Sequence, residues 1–290
     1  MKPTGRSSSK KRQGSNLKDH FMSLLKIKDQ NKIINNLEGD FLLLIGMMPS
    51  RDKELFRKLK DKKNVVHLSV IEDSKMANIA AIQSRYEAGS EEGVLAILAK
   101  EFLSREELEE SAETFFETLD TGYLSAESNI GEEEIEEIFH LYERAKNPIL
   151  VFGCDFFNHP KSQNLAKLIS LLVKYGRFKL YAQPGEILVS ERDDVIIDDI
   201  GQLHSFDGCV VYACPSIDHE EQEYLMGSDQ FMRAAKINDE QDVFVITDSG
   251  EYLRRFLLDN ELKGTVALMP NANSDGSYYY KIAKIIKREN

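Results

Sequence analysis

Residues 147–172 carry, in immediate succession, the patterns of a strand, a tight turn and an amphipathic helix. Pro148 to Phe152 is a short apolar run that ends at Gly153, which is typical of a strand covered on both faces in a parallel sheet. Pro160 suits the first turn of a helix, and the apolar residues after it follow helical spacing. Those residues are Leu165, Leu168, Ile169 and Leu172. The stretch therefore predicts half of a βαβ unit.

A second copy of this pattern lies 107 residues earlier. Phe41 to Ile45 is an apolar run that ends at Gly46, residues 47–61 supply a loop and a helix, and Val65 to Ile71 returns as a strand. Alternation of strands and helices predicts a parallel sheet with right-handed crossovers. We expect an α/β fold, a Rossmann-like parallel sheet built from two related βαβ halves with a helix-rich acidic insertion.

The remaining chain is predicted to continue this alternation. Strands are expected at 178–182, 209–213, 243–247 and 265–269, and Asp248 with Glu251 suits the first turn of a helix that carries Leu253, Phe256 and Leu257. This places a disordered basic tail at 1–18, a first α/β half with the helical insertion at 19–130 and a second half at 131–290.

Composition favours a globular chain without a membrane segment. Of 290 residues, 42% are hydrophobic and 30% are charged, and no apolar run approaches the ~20 residues of a membrane helix. The N-terminus shows no apolar leader segment, and three cysteines do not form a disulfide framework. We expect a cytoplasmic protein without direct membrane insertion.

Charge is distributed unevenly along the chain. The total of 37 basic and 49 acidic residues gives −12, which argues against nucleic acid as a partner. Residues 1–18 contain six basic and no acidic side chains, whereas residues 91–143 contain seventeen acids against Lys100 and Arg105. The acidic helices of that stretch are either a partner-binding face or a plain solvated surface.

No catalytic or metal-binding motif emerges from the residues. Glycine fingerprints for dinucleotides and for nucleoside triphosphates are absent after both glycine-terminated strands. Cys209 and Cys214 are five residues apart, so along one strand they would face opposite sides and share no metal. Ligands of open α/β sheets bind at the carboxyl ends of strands, so the crevice candidates are Gly46, Gly153, Cys154 and Asp248, with Asp155 beside them.

Several stretches, taken in order, resemble one known family. They are RYEAGSEEGVLAILA (85–99), GYLSAESNIGEEEIEEI (122–138), NPILVFG and HPKSQNLAKLISLL within 147–172, FDGCVVYACPSIDHEE and AAKINDE within 206–240, and MPNANSDG (269–276). Together they are similar to the molybdopterin-oxidoreductase-like region of the large iron–sulfur subunit of bacterial NADH-quinone oxidoreductase, respiratory complex I. The similarity covers residues 40–276 and implies a Rossmann-like α/β fold.

The resemblance also defines what this chain is expected to lack. The large iron–sulfur subunit carries its clusters on a cysteine-rich N-terminal region, and this chain has no cluster-spaced cysteines. The resemblance therefore implies a non-catalytic, structural subunit of the peripheral arm, at the inner face of the membrane through partner subunits. Those other subunits would carry the iron–sulfur clusters and flavin, and no cofactor is expected in this chain. The alternative is an independent Rossmann-like enzyme or binding protein that uses the crevice.

Overall fold

The computed structural model describes residues 17–182, 195–215, 220–270 and 276–289. Helix α1 occupies residues 17–24, so Leu17 and Lys18 are helical. The rest of the predicted disordered tail, residues 1–16, lies outside the described residues, and so does the Gln-Pro-Gly run at 183–185, whose sequence predicts a turn. The apolar run at 195–197 suggests a short strand in the sequence, but these residues form no strand.

Six parallel strands form the first sheet, sheet A, in the order β1-β6-β5-β2-β3-β4. Their bounds are β1 Ile33–Ile34, β2 Phe41–Ile45, β3 Val65–Ser69, β4 Ala80–Arg85, β5 Pro148–Phe152 and β6 Lys179–Tyr181. All residues of β2 and β5 are buried, which confirms that these apolar runs are central strands covered on both faces.

Strands β2 and β5 are neighbours, and their residues pair with the same offset that separates the two copies of the sequence repeat. Phe41 pairs with Pro148 and Ile45 with Phe152, so equivalent residues of the two copies lie side by side. The chain leaves β2 towards β3 on one side and leaves β5 towards β6 on the other. The strand order therefore reverses between β2 and β5, the position where open α/β sheets form a crevice.

Helices cover both faces of sheet A. Helix α2, Lys53–Leu59, packs Leu55 and Leu59 on one face, and α7, Ser162–Lys174, covers the other. The acidic insertion adds α3 Glu91–Phe102, α4 Glu110–Thr118, α5 Thr121–Ser128 and α6 Glu132–Arg144. In both α3 and α6 the apolar residues recur at helical spacing, and these stripes are buried. The S-x-x-E spacing of Ser104 and Glu107 predicts a capping box that opens a helix, and this prediction is wrong, because α4 begins at Glu110.

The last third of the chain contradicts the expectation of one parallel sheet. It forms a second, mixed sheet, sheet B, in the order β12-β7-β11-β8-β10-β9-β13. Its elements are β7 Val210–Tyr212, β8 Tyr224–Gly227, α8 Asp229–Ala234, β9 Asp242–Thr247, β10 Gly250–Leu258, β11 Val266–Leu268, β12 Tyr280–Ile282 and β13 Lys284–Lys287. The protein is thus mixed α/β, with a parallel sheet and a separate mixed sheet.

The helix predicted from Asp248 is wrong, because residues 250–258 form strand β10. Gly250 has a φ of +141°, which favours glycine and allows β9 and β10 to join in a tight antiparallel turn. Phe256 then points into the core between β9 and β8, whereas Leu253 and Arg255 face outward. The apolar residues of this segment fit both a helical stripe and a half-buried strand, so spacing alone did not distinguish them.

Sheet B closes on itself. Strands β12 and β13 are separated only by Ala283, yet β12 pairs with β7 and β13 pairs with β9, at opposite ends of the strand order. The continuous segment 280–287 therefore joins the two ends of the strand order and produces a barrel-like sheet. In the parts of the chain that the structure describes, no helix is long and apolar enough to cross a bilayer.

Candidate functional site

Gly46 and Gly153 meet at the carboxyl ends of β2 and β5. A Cβ atom on Gly153 would lie 2.2 Å from the Cβ of Met47 and 2.3 Å from the carbonyl oxygen of Gly46. Gly46 has a φ of +70°, and a Cβ there would lie 2.7 Å from the ring of Phe156. The two chain segments approach so closely that both positions require glycine.

A cavity of about 610 Å³ opens at this switch point. Its lining combines the loops after β2 and β5 with the end of β7, so sheet A and sheet B both contribute to it. Most of the wall is apolar, and five sulfur-containing side chains belong to it. The principal wall residues are Met22, Met47, Met48, Leu55, Phe152, Cys154, Phe157, Tyr181, Tyr212 and Cys214. A volume of this size is typical of small-molecule sites.

Charged residues also line the cavity. Arg51 donates from Nη2 to the Pro215 carbonyl and to Glu221 Oε2, both at 2.9 Å. The Asp52 carboxylate accepts the backbone N–H groups of Glu54 and Leu55 and so caps α2. Glu54 forms an ion pair with Lys58 at 2.9 Å. Lys18 and Lys53 add positive charge to this lining.

The cavity cysteines are held as neutral thiols. Burial raises the pKa of Cys154 well above its ordinary range, and the adjacent Asp155 raises it further. Burial likewise raises the pKa of Cys214 to about 12, although the nearby Arg51 opposes that shift. The thiolate is the reactive form, so neither cysteine is activated as a nucleophile at neutral pH. Cys209, which precedes β7, is only half-buried.

Asp155 is a buried carboxyl group that joins the two sheets. It follows β5 in sheet A and accepts hydrogen bonds from Tyr212 Oη at 2.6 Å and Tyr280 Oη at 3.0 Å, both from sheet B. Burial raises the pKa of Asp155 to about 7, and the charge of Glu91 adds to this shift, while the tyrosine hydroxyls oppose it. Asp155 therefore changes charge near neutral pH.

Glu91 forms a second buried contact between the sheet layers. Its Oε1 accepts the hydroxyl of Tyr278, just before β12, and its Oε2 lies 3.2 Å from Nε2 of His159. The backbone N–H of Lys161 donates to Nδ1 of His159, and the other ring nitrogen, Nε2, lies on the side of Glu91. His159 thus connects the loop before α7 with the start of α3.

The structure brings together three of the four crevice candidates. Gly46, Gly153 and Cys154 lie at the switch point, whereas Asp248 lies in the exposed β9–β10 turn and pairs with Lys281 at 3.2 Å. The important residues that sequence reasoning missed are Glu91, Tyr212, Tyr278 and Tyr280. The run of three tyrosines at 278–280 was the one available signal for them.

Among the described residues, no group of histidine, cysteine and acidic side chains has the arrangement of a metal site. No family model matches the chain, and no curated protein matches it.

Proposed function

We propose that this chain is a non-catalytic structural subunit of a complex I-type NADH-quinone oxidoreductase. The main structural support is that the polar groups that follow β5 contact residues of sheet B. Asp155 accepts hydrogen bonds from Tyr212 and Tyr280, and the half-buried Cys154 thiol lies 3.6 Å from Tyr212 Oη, so these groups join the two sheets. The similarity of residues 40–276 to the large iron–sulfur subunit of complex I supplies the choice of assembly.

We also propose that sheet A corresponds to the Rossmann-like region of the complex I subunit. Sheet A contains the two βαβ units, β2-α2-β3 and β5-α7-β6, on either side of one switch point. We take this sheet as the Rossmann-like part of that relationship, with α3 to α6 as its acidic insertion. In this proposal flavin and iron–sulfur clusters reside on partner subunits, and the chain is a cytoplasmic protein held at the inner membrane face by those partners.

The surface proposed to contact a partner is the acidic face of α4, α5 and α6. Glu91 and Glu92 are excluded from it because both side chains are buried, and Glu92 accepts a 2.6 Å hydrogen bond from Asn164. The exposed acids on these helices and in the linking residues next to them are Glu106, Glu107, Glu109, Glu110, Glu113, Glu117, Asp120, Glu127, Glu132, Glu133, Glu136, Glu137 and Glu143. Two of them are already paired within the chain, Glu109 with Lys174 and Glu143 with Arg105. Such a concentration of one charge favours a basic partner surface.

The test is to tag the chain in its own cell, solubilise membranes gently and separate the complexes by native electrophoresis. Migration with quinone-reductase activity and with other complex I subunits is the expected result. Migration alone, at the size of a monomer or dimer, contradicts the proposal. A control tagged subunit of the same complex shows whether the assembly survived solubilisation.

A second candidate function is favoured by the cavity at the switch point. Its position and its volume of about 610 Å³ suit an independent small-molecule-binding protein or enzyme. Titration of the purified chain with nucleotides and thiamine-type ligands tests this function. Binding that is lost in Cys154→Ala and retained in Asp248→Ala would support it, because only Cys154 lines the cavity.

A further inference from the structure

The chemistry of the cavity wall defines which kind of molecule would fit it. Met47 and Met48 follow β2, Met22 comes from α1, and Phe157 and Tyr181 provide aromatic surface. Thioether and aromatic side chains are polarizable and adapt to planar apolar molecules. The two thiols are neutral, so this part of the wall presents no charge to a ligand.

The charged side chains that line the cavity differ in how many hydrogen-bonding groups remain available to a ligand. Asp52 is occupied by the α2 backbone and Glu54 by Lys58, so both acids have partners within the protein. Arg51 also has an acidic partner, Glu221 at 2.9 Å, but it uses one nitrogen, Nη2, for both of its hydrogen bonds to described residues, and its side chain is 15% exposed. A guanidinium carries five N–H donors and stays charged, so Arg51 retains donors suited to an acidic group.

We propose that the cavity binds a small aromatic acid, with its ring system against Met47, Met48 and Phe157 and its acidic group at Arg51. This inference rests on the second candidate function, the small-molecule site, and assigns its ligand class. Lys53, exposed at the first position of α2, supplies a second positive charge at the same mouth.

The experiment compares two fluorescent probes that differ in charge. The anion 8-anilinonaphthalene-1-sulfonate carries an aromatic body and a sulfonate, and N-phenyl-1-naphthylamine carries the same body without the acid. We expect the anion to bind the folded chain at one site. Arg51→Gln should lower the affinity for the anion by about tenfold, since a hydrogen bond to a charged group is lost. The affinity for the neutral probe should not change.

Three further variants locate the effect. Lys53→Gln should weaken the anion by less than Arg51→Gln, because this side chain is exposed. Met48→Ala should weaken the binding of both probes, since it removes part of the apolar wall of the cavity. Arg233→Gln, whose side chain is 79% exposed and does not line the cavity, should change neither. The unfolding midpoint of each variant is also measured, and binding is compared under conditions well below that midpoint, so that binding by partly unfolded protein is excluded.

The outcomes separate this inference from the function on which it rests. Equal binding of both probes, unaffected by Arg51→Gln but weakened by Met48→Ala, overturns the acidic ligand class and retains a small-molecule site. Failure of both probes to bind the folded chain overturns the site as well. If Arg233→Gln and Arg51→Gln lower the affinity for the anion equally, the proposed role of Arg51 is overturned, because the loss then follows from the net charge of the protein.

Discussion

Tyr212 donates a 2.6 Å hydrogen bond to Asp155, and this bond links the end of a barrel strand to the end of a central strand of the parallel sheet. Both residues are fully buried, and Tyr280, stacked on Tyr212 with ring centroids 4.6 Å apart, donates to the other carboxylate oxygen. The two sheets are therefore joined through a carboxyl group that titrates near neutral pH. Stability of the whole chain should follow its ionisation.

Asp155→Asn should remove a pH dependence of unfolding. The pKa of Asp155 is raised from 3.8 to about 7 in the folded protein, so its contribution is fully present below pH 4 and is lost as pH rises through 7. Relative to Asp155→Asn, the wild type should lose up to about 4 kcal/mol between pH 4 and pH 8. Denaturant unfolding at several pH values measures this difference. Asp61→Asn, at an exposed site, is the control, and parallel pH profiles of wild type and Asp155→Asn would contradict the prediction.

Tyr280→Phe should destabilise the chain more at pH 8 than at pH 5. Removing the hydroxyl takes a donor from a buried carboxylate, which costs about 1–3 kcal/mol when that group is charged and less when it is neutral. Tyr279→Phe is the matched control, because among the described residues the tyrosine hydroxyls that donate to Asp155 are those of Tyr212 and Tyr280. Equal losses in the two variants at both pH values would show that the hydroxyl of Tyr280 has no special role.

Gly153→Ala should destabilise the protein by about 3 kcal/mol or more, because the new methyl group meets backbone and Met47 at distances that no rotamer relieves. Gly201→Ala is the control, since a Cβ there meets nothing within 4 Å. Thermal and denaturant unfolding of the two variants measure the difference. Similar midpoints for both would mean that β2 and β5 separate easily at the switch point.

Substitutions of the glutamates of α6 should distinguish those that contribute surface charge from the one that caps the helix. The triple change Glu132→Gln, Glu133→Gln and Glu137→Gln should weaken association with the proposed partner at low salt and leave stability within about 0.5 kcal/mol. Glu134→Ala should instead reduce stability, because it removes the carboxylate that accepts the Gly131 N–H at 3.0 Å and the hydroxyl of Ser84. Co-purification and unfolding are measured for both, and unchanged co-purification of the triple variant contradicts the assignment of this face.

Local pattern was sufficient for the centre of sheet A. Five consecutive apolar residues before Gly46 and before Gly153 predicted buried strands, and helical spacing predicted α7, because burial and periodicity are properties of neighbouring residues. The same argument failed at 250–258, where Leu253, Phe256 and Leu257 satisfied a helical stripe although the segment is a strand. Its structure is decided by β8 and β9 on either side, which spacing within the segment does not describe.

The sequence by itself determined the repeated strand–glycine–helix units, the placement of Gly46, Gly153 and Cys154 at strand ends, and the acidic character of the helical insertion. Tertiary structure alone decided that Asp155 meets Tyr212 and Tyr280, that Arg51 lines the same cavity as Cys154, and that Asp248 lies apart from it. The physical reason is chain distance: periodicity reports which side chains share a face of one element, whereas contacts between residues 57 and 125 positions apart depend on how complete sheets pack.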